Sequence, residues 1–149
     1  MSKSNTYEQQ VLALLLNGTP IANVADDASS SPLAEVWVGL HESDPGETGA
    51  QGTNETGYTG YSRVAVTRST AGFVISSGTT AGASASPVAN IDFPEATSTS
   101  TGTITHFSIG KTSASTGGDI FYKGTITPNI NYGQNVTPRL TTASSIREN

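Results

Sequence analysis

Glu35-Val36-Trp37-Val38-Gly39-Leu40-His41, running into Glu42-Ser43-Asp44-Pro45-Gly46, is the stretch whose reading decides the fold. Val36, Val38 and Leu40 point one way and Trp37, Gly39 and His41 the other, the period of two of a half-buried β-strand. Asp44-Pro45-Gly46 then turns the chain, Asp bonding to the backbone and Pro fixing φ. A second strand is expected over Tyr61 to Arg68, where Val64 and Val66 alternate with Arg63, Ala65 and Thr67. The two strands belong in one β-core. Between them lies a loop, 42–60, with five Gly and almost no aliphatic anchor. A loop that long in a compact domain is functional or mobile as a rule, so it is the expected partner-contacting segment.

Composition carries the same message outward. The chain has 149 residues, 19 Ser, 22 Thr and 16 Gly, and only 13% of it is charged. Disordered chains need high charge and few β-branched residues. Here Val, Ile, Thr and aromatics come in short alternating runs, which fits a folded all-β domain. No cysteine is present, which excludes disulfides and thiolate metal sites. The net charge of −5, with seven scattered Lys and Arg, lacks the footprint of a duplex-binding protein, so nucleic acid is not an expected partner.

Ahead of the first strand, Lys3 to Asn17 reads as the one helix. Asn5 is its expected cap, Glu8 completes a capping box, and Asn17-Gly18 ends it. Tyr7, Val11, Leu14 and Leu15 are expected to share its packing face. The apolar run Val11 to Leu16 is too short for a signal peptide core or a bilayer span, so no membrane partner is expected. After Arg68, strands are expected at Phe73 to Ile75, Ala89 to Phe93, Thr103 to Ile109, Ile120 to Ile126 and Val136 to Thr142. Ser76 to Pro87 reads as a low-complexity connection, and Pro128 and Pro138 confine their neighbours to edges or turns. Seven or eight short strands without intervening helices predict an antiparallel β-sandwich, jelly-roll-like, with one N-terminal helix. We read it as a single domain over 1–149, with a helix or arm at 1–17, the long loop at 42–60 and a C-terminal tail at 143–149.

Visible chemistry is sparse. His41, Glu42 and Asp44 fall within four residues, but His41 and Glu42 point to opposite faces and no second cluster completes a metal or acid/base site. Gly110-Lys111-Thr112 lacks the upstream Gly and following helix of a phosphate loop. With no nucleophile elbow, the Ser residues and two His define no triad. We therefore expect no enzyme, no catalytic residue, no metal and no cofactor. The residues left as protein-interaction candidates are Tyr7 and Leu15 on the helix, Trp37, His41 and Asp44, and Tyr58, Tyr61 and Arg63. Tyr58 and Tyr61 near Trp37 form either an aromatic platform or core packing, and Arg63 is expected to hold the loop by pairing with Asp44 or Glu42.

Several of these residues carry a family resemblance. Leu40-His41-Glu42-Ser43-Asp44-Pro45-Gly46-Glu47-Thr48-Gly49 and Tyr58-Thr59-Gly60-Tyr61-Ser62-Arg63-Val64 resemble the L-H-x-x-D-P-G-x-x-G loop and Y-T-G-Y-x-R-V strand of a family of small virion proteins of tailed bacteriophages. Thr105 to Gly110 and Ile120 to Gly124 are similar to its second block, and the likeness spans roughly Val11 to Thr142. Members are labelled tail-fibre proteins or head decoration (cement) proteins, and the resemblance implies no catalytic residues. The first expectation is a cement protein, made in the host cytoplasm and placed on the outer capsid surface. Its partners would be the major capsid protein and itself, as a dimer or trimer. The alternative is a tail-fibre or tail-tip structural or receptor-binding protein using Trp37, Tyr58 and Tyr61.

Overall fold

A computed structural model describes residues 5–21, 33–76 and 82–148. One helix, α1 (Asn5–Asn17), precedes nine described strands: β1 (Glu35–His41), β2 (Val64–Thr67), β3 (Phe73–Ser76), β4 (Ala83–Pro87), β5 (Ile91–Asp92), β6 (Gly102–Gly110), β7 (Ile120–Tyr132), β8 (Arg139–Leu140) and β9 (Ile146–Glu148). They form sheets of order β2-β1-β6-β7, β3-β4-β9 and β5-β8. The class is the expected one, antiparallel all-β with a single helix, and no described sheet closes into a barrel. Packing divides the chain into two units. One comprises Met1–Glu35, Thr67–Asn90 and Thr141–Asn149; the other comprises Val36–Val66 and Ile91–Leu140.

The second unit holds the four-stranded sheet. β1 pairs antiparallel with β6 from Trp37↔Gly110 to His41↔His106, and Val36, Val38, Leu40 and Ile104 are buried as alternation requires. β6 in turn pairs with β7, from Gly110↔Ile120 to Gly102↔Tyr132. The register slips between Ile104↔Ile130 and His106↔Thr125, so 126–129 of β7 swing away from the ladder around Pro128. Proline donates no hydrogen bond, and an edge strand is where a sheet tolerates it. β7 is thus longer than the expected Ile120 to Ile126, because the strand resumes after the proline. A second, small layer is the β5-β8 ladder, Ile91↔Leu140 and Asp92↔Arg139, extended by Phe93 N–H donating to the Pro138 carbonyl at 2.9 Å.

The first unit packs α1 on β3-β4-β9. Leu12 and Leu16 are fully buried and Glu8 is 4% exposed, so the packed face is Glu8, Leu12 and Leu16 at i, i+4, i+8. The expected face of Tyr7, Val11, Leu14 and Leu15 is displaced by about one position, and Tyr7 is 44% exposed. Glu8, read as the capping-box carboxylate, also reaches the sheet: its Oε2 accepts the N–H of Ala83 on β4 at 3.2 Å. The Asn5 side chain lies outside the described residues. β4 falls in the stretch read as a connection, because Ala83-Ser84-Ala85-Ser86-Pro87 alternates small residues instead of large ones. Ala83 and Ala85 are wholly buried, and their methyl groups let the helix approach closely. The tail at 143–149 also corrects: its residues Ile146–Glu148 form β9 and pair with β4.

The helix ends where Asn17-Gly18 places it, with Gly18 at φ +64° and the Thr19 N–H donating to the Ala13 carbonyl at 3.0 Å. Arg68 supplies what the backbone cannot. Its Nε donates to the Leu15 carbonyl at 2.7 Å, Nη2 to the Leu14 carbonyl, and Nη1 to the Leu33 carbonyl at 3.2 Å. A cation on the last turn satisfies orphan carbonyls and faces the negative end of the helix dipole. Arg68→Ala is expected to lower unfolding free energy by about 2 kcal/mol. Arg68→Lys should recover only part of that loss, both read by chemical denaturation.

Candidate functional site

The loop 42–60 is not an open flap. Residues 54–56 run back antiparallel beside the end of β1: Glu42 N–H donates to the Asn54 carbonyl at 3.0 Å, Thr56 N–H donates to the Leu40 carbonyl at 2.9 Å, and His41 and Glu55 form a β-bridge. The Asp44-Pro45-Gly46 turn forms as read, with Asp44 Oδ1 accepting the Gly46 N–H at 2.8 Å and Gly46 at φ +79°. Gly49 closes the tip, and here glycine is obligatory, since a Cβ would lie 1.8 Å from the Pro45 carbonyl oxygen. Asn54, at φ 54°, donates through Nδ2 to the Asp44 carbonyl at 2.9 Å.

Beneath the loop lies a buried ion pair. The side chains of Arg63 and Glu55 are 1% and 8% exposed, and they meet in a fork, Nε to Oε1 and Nη2 to Oε2, each at 2.7 Å. Arg63 therefore holds the loop as expected, but its partner is Glu55, not Asp44 or Glu42. Those two are engaged elsewhere. Asp44 takes the Lys123 ammonium at 3.0 Å, and Glu42 Oε1 accepts from Tyr132 at 2.8 Å and Thr56 at 3.0 Å. The remaining donors of Arg63 reach the Thr112 carbonyl at 3.0 Å and Gln51 Oε1 at 3.5 Å, and Gln51 Nε2 donates to the Trp37 carbonyl at 2.9 Å. Gln51 N–H also donates to the Gly118 carbonyl at 2.9 Å, so the loop is stitched both to β1 and to the β6–β7 connection. Among the described residues no buried side-chain polar atom is left without a partner.

The aromatic residues serve the same enclosure. Tyr61 accepts the Leu40 N–H at 2.9 Å and donates to Glu55 Oε1 at 2.8 Å. Tyr58, 4% exposed, donates to the Pro94 carbonyl at 2.8 Å. Tyr58 packs edge-on against Tyr61 at 5.3 Å and tilted against Tyr132 at 5.0 Å, and Tyr61 stacks on Phe93 at 6.3 Å. Burial pushes the Tyr58 hydroxyl up to about 12 and raises that of Tyr61 further. Both phenols are neutral donors across the pH range of interest, and core packing, the alternative to a stacking platform, is what their rings do.

His41 is wholly enclosed. Its Nδ1 faces the Thr53 carbonyl at 2.9 Å and its Nε2 the Ser108 hydroxyl at 2.8 Å. A carbonyl only accepts, so Nδ1 carries the proton and Nε2 accepts from Ser108. This Ser–His pair has a backbone carbonyl in place of an orienting carboxylate, and neither member reaches solvent. At the loop tip Asp44 and Glu47 share the Lys123 ammonium, with Lys123 Nζ 3.0 Å from Asp44 and 2.9 Å from Glu47. The Gly46 N–H and then Lys123 hold the Asp44 carboxyl below its ordinary value, and no described set of His and carboxylates could hold a metal ion.

Of the interaction candidates, the loop thus gathers His41, Asp44, Tyr58, Tyr61 and Arg63 into one network and touches Trp37 through its carbonyl. Tyr7 and Leu15 belong to the helix of the other unit. Sequence reasoning missed Gln51, Glu55, Ser108 and Tyr132. Nothing in the chain's spacing singles out Glu55 among the four carboxylates between His41 and Arg63.

Breaking a buried pair from one side leaves an uncompensated charge, so Arg63→Met is expected to cost about 3–5 kcal/mol. The double variant Arg63→Met, Glu55→Leu should cost less than the sum of its singles, measured as a double-mutant cycle by denaturation. Gly110→Ala probes the same clamp sterically. Its Cβ would sit 2.2 Å from Gln51 Cδ and 2.3 Å from the Asp119 carbonyl oxygen. A loss of about 2 kcal/mol or more is expected in the same assay.

Against known families, residues 2–145 match the family described as podophage GP4 fiber I protein gp80. The chain belongs to that family and is a phage virion structural protein. No curated protein matches the sequence.

Proposed function

We infer that the chain is a structural component of a virion fibre, engaged with other virion proteins and with copies of itself, and that its role is mechanical and not catalytic. The observation that carries this reading is the family match over residues 2–145, whose description names a fibre protein. Support of a second kind comes from the clamp: a long polar loop whose buried groups are saturated by one another is a preformed surface with little conformational entropy left to lose on assembly. The cement reading, with the major capsid protein as partner and the outer capsid surface as location, has the weaker support, because the family is described by a fibre and not by a head. A receptor site built from Tyr58 and Tyr61 is also disfavoured, since their hydroxyls and rings are occupied internally.

Immunogold electron microscopy of purified particles carrying an epitope-tagged copy tests the assignment. Gold on the tail appendages is the expected result. Gold spread over the head would overturn it in favour of the cement role, and particles without gold would overturn both.

A further inference from the structure

The enclosed imidazole of His41 has a consequence that the fibre role does not require and that holds wherever the chain sits in the particle. We propose that His41 is an acid-sensitive latch, whose protonation loosens the return segment 53–56 from the end of β1 and so opens the loop 42–60.

The geometry sets the mechanism. With Nδ1–H committed to the Thr53 carbonyl, the ring has one lone pair, on Nε2, and the Ser108 hydroxyl fills it. A second proton can bind only at Nε2. It turns an acceptor into a donor facing a hydroxyl, so Ser108, itself wholly buried, loses the acceptor for its own proton. The new charge would sit among groups already in balance. Glu55, bridged to His41 across the loop, has Oε1 taken by Arg63 and Tyr61 and Oε2 by Arg63. Arg63 from the strand side and His106, opposite His41 on β6, add repulsion and no relief. The simplest release is for the segment that covers the ring, held by the Thr53 carbonyl, the Glu42–Asn54 bond and the Thr56–Leu40 bond, to lift and let water reach the imidazole.

The direction of the pH effect follows. Burial first, against the raising effects of the Thr53 carbonyl and Glu55, holds the His41 pKa below the 6.5 of a free imidazole. The closed loop therefore binds fewer protons than the open one in the window below about 6.5. Closure is fully favoured above that window and is lost as pH falls through it, by at most a tenfold change in the open population per pH unit for one proton.

Hydrogen exchange of the intact protein, with peptides covering 42–60 followed at pH 7.5 and pH 5.5 and corrected for intrinsic rates, reads the latch directly. The expected result is a fall in loop protection on acidification, up to tenfold per pH unit below about 6.5, while the β6 peptides change less. His41→Gln should abolish the pH dependence, and His106→Gln should keep it. Equal protection at both pH values would overturn the proposal, and so would a fall that persists in His41→Gln or vanishes in His106→Gln. Should His41→Gln fail to fold, the ring resonances of the native protein decide. Titration of His41 below that of a free imidazole, in step with the change in loop protection, supports the latch. Titration at the free value overturns it.

Discussion

A guanidinium and a carboxylate taken out of water together are the constraint around which the larger unit is arranged. Desolvating either ion costs several kcal/mol, and the attraction between them offsets this only when the remaining donors and acceptors are also filled. Arg63 and Glu55 meet that condition through neighbours supplied from far along the chain: the carbonyl of Thr112, the amide of Gln51 and the hydroxyl of Tyr61. Each of those groups in turn fixes a segment. Gln51 ties the loop to Trp37 and Gly118, and Tyr61 caps the free N–H of Leu40. The loop is ordered because it is the lid on a charge pair, and a polar sequence is what such a lid must have.

This inverts the ordinary inference from composition. A long Gly- and Thr-rich segment without aliphatic anchors suggests mobility when hydrophobic burial is taken as the only source of order. Here order comes from saturation of polar groups in a low-dielectric interior, where each satisfied bond is worth more and each vacancy would be costly. Such networks favour one arrangement over near alternatives more strongly than they add stability.

The readable portions of the sequence were those where side-chain contrast was high. β1 and β6 alternate Val, Leu and Ile with polar residues, and their positions matched expectation. The Asp-Pro-Gly turn and the Asn-Gly helix stop carry their own stereochemistry and were placed correctly. β4 and β9 were illegible for the opposite reason: Ala against Ser offers almost no hydropathy difference, and Ile146-Arg147-Glu148 is too short and charged to announce a strand. The helix face was misjudged because a backbone N–H from β4 draws Glu8 inward, and no sequence pattern announces that bond. Ion-pair partners were beyond reach altogether. Glu42, Asp44, Glu47 and Glu55 are equivalent on paper, and only the return of the chain beside β1 decides which one faces Arg63.

The β4–β9 ladder joins Ala83 to Glu148 and Ala85 to Ile146. During synthesis the helix and the β3–β4 hairpin leave the ribosome long before the strand that completes their sheet. The nascent chain must then carry a two-stranded, half-covered layer while the whole of 91–140 is translated and folds. A bare hairpin is marginal by itself, and exposed strand edges invite wrong pairings between neighbouring polypeptides. Small Ala and Ser side chains in β4 give a stray partner little apolar surface to grip, so the blandness that hides this strand from a reader also protects it on the polysome.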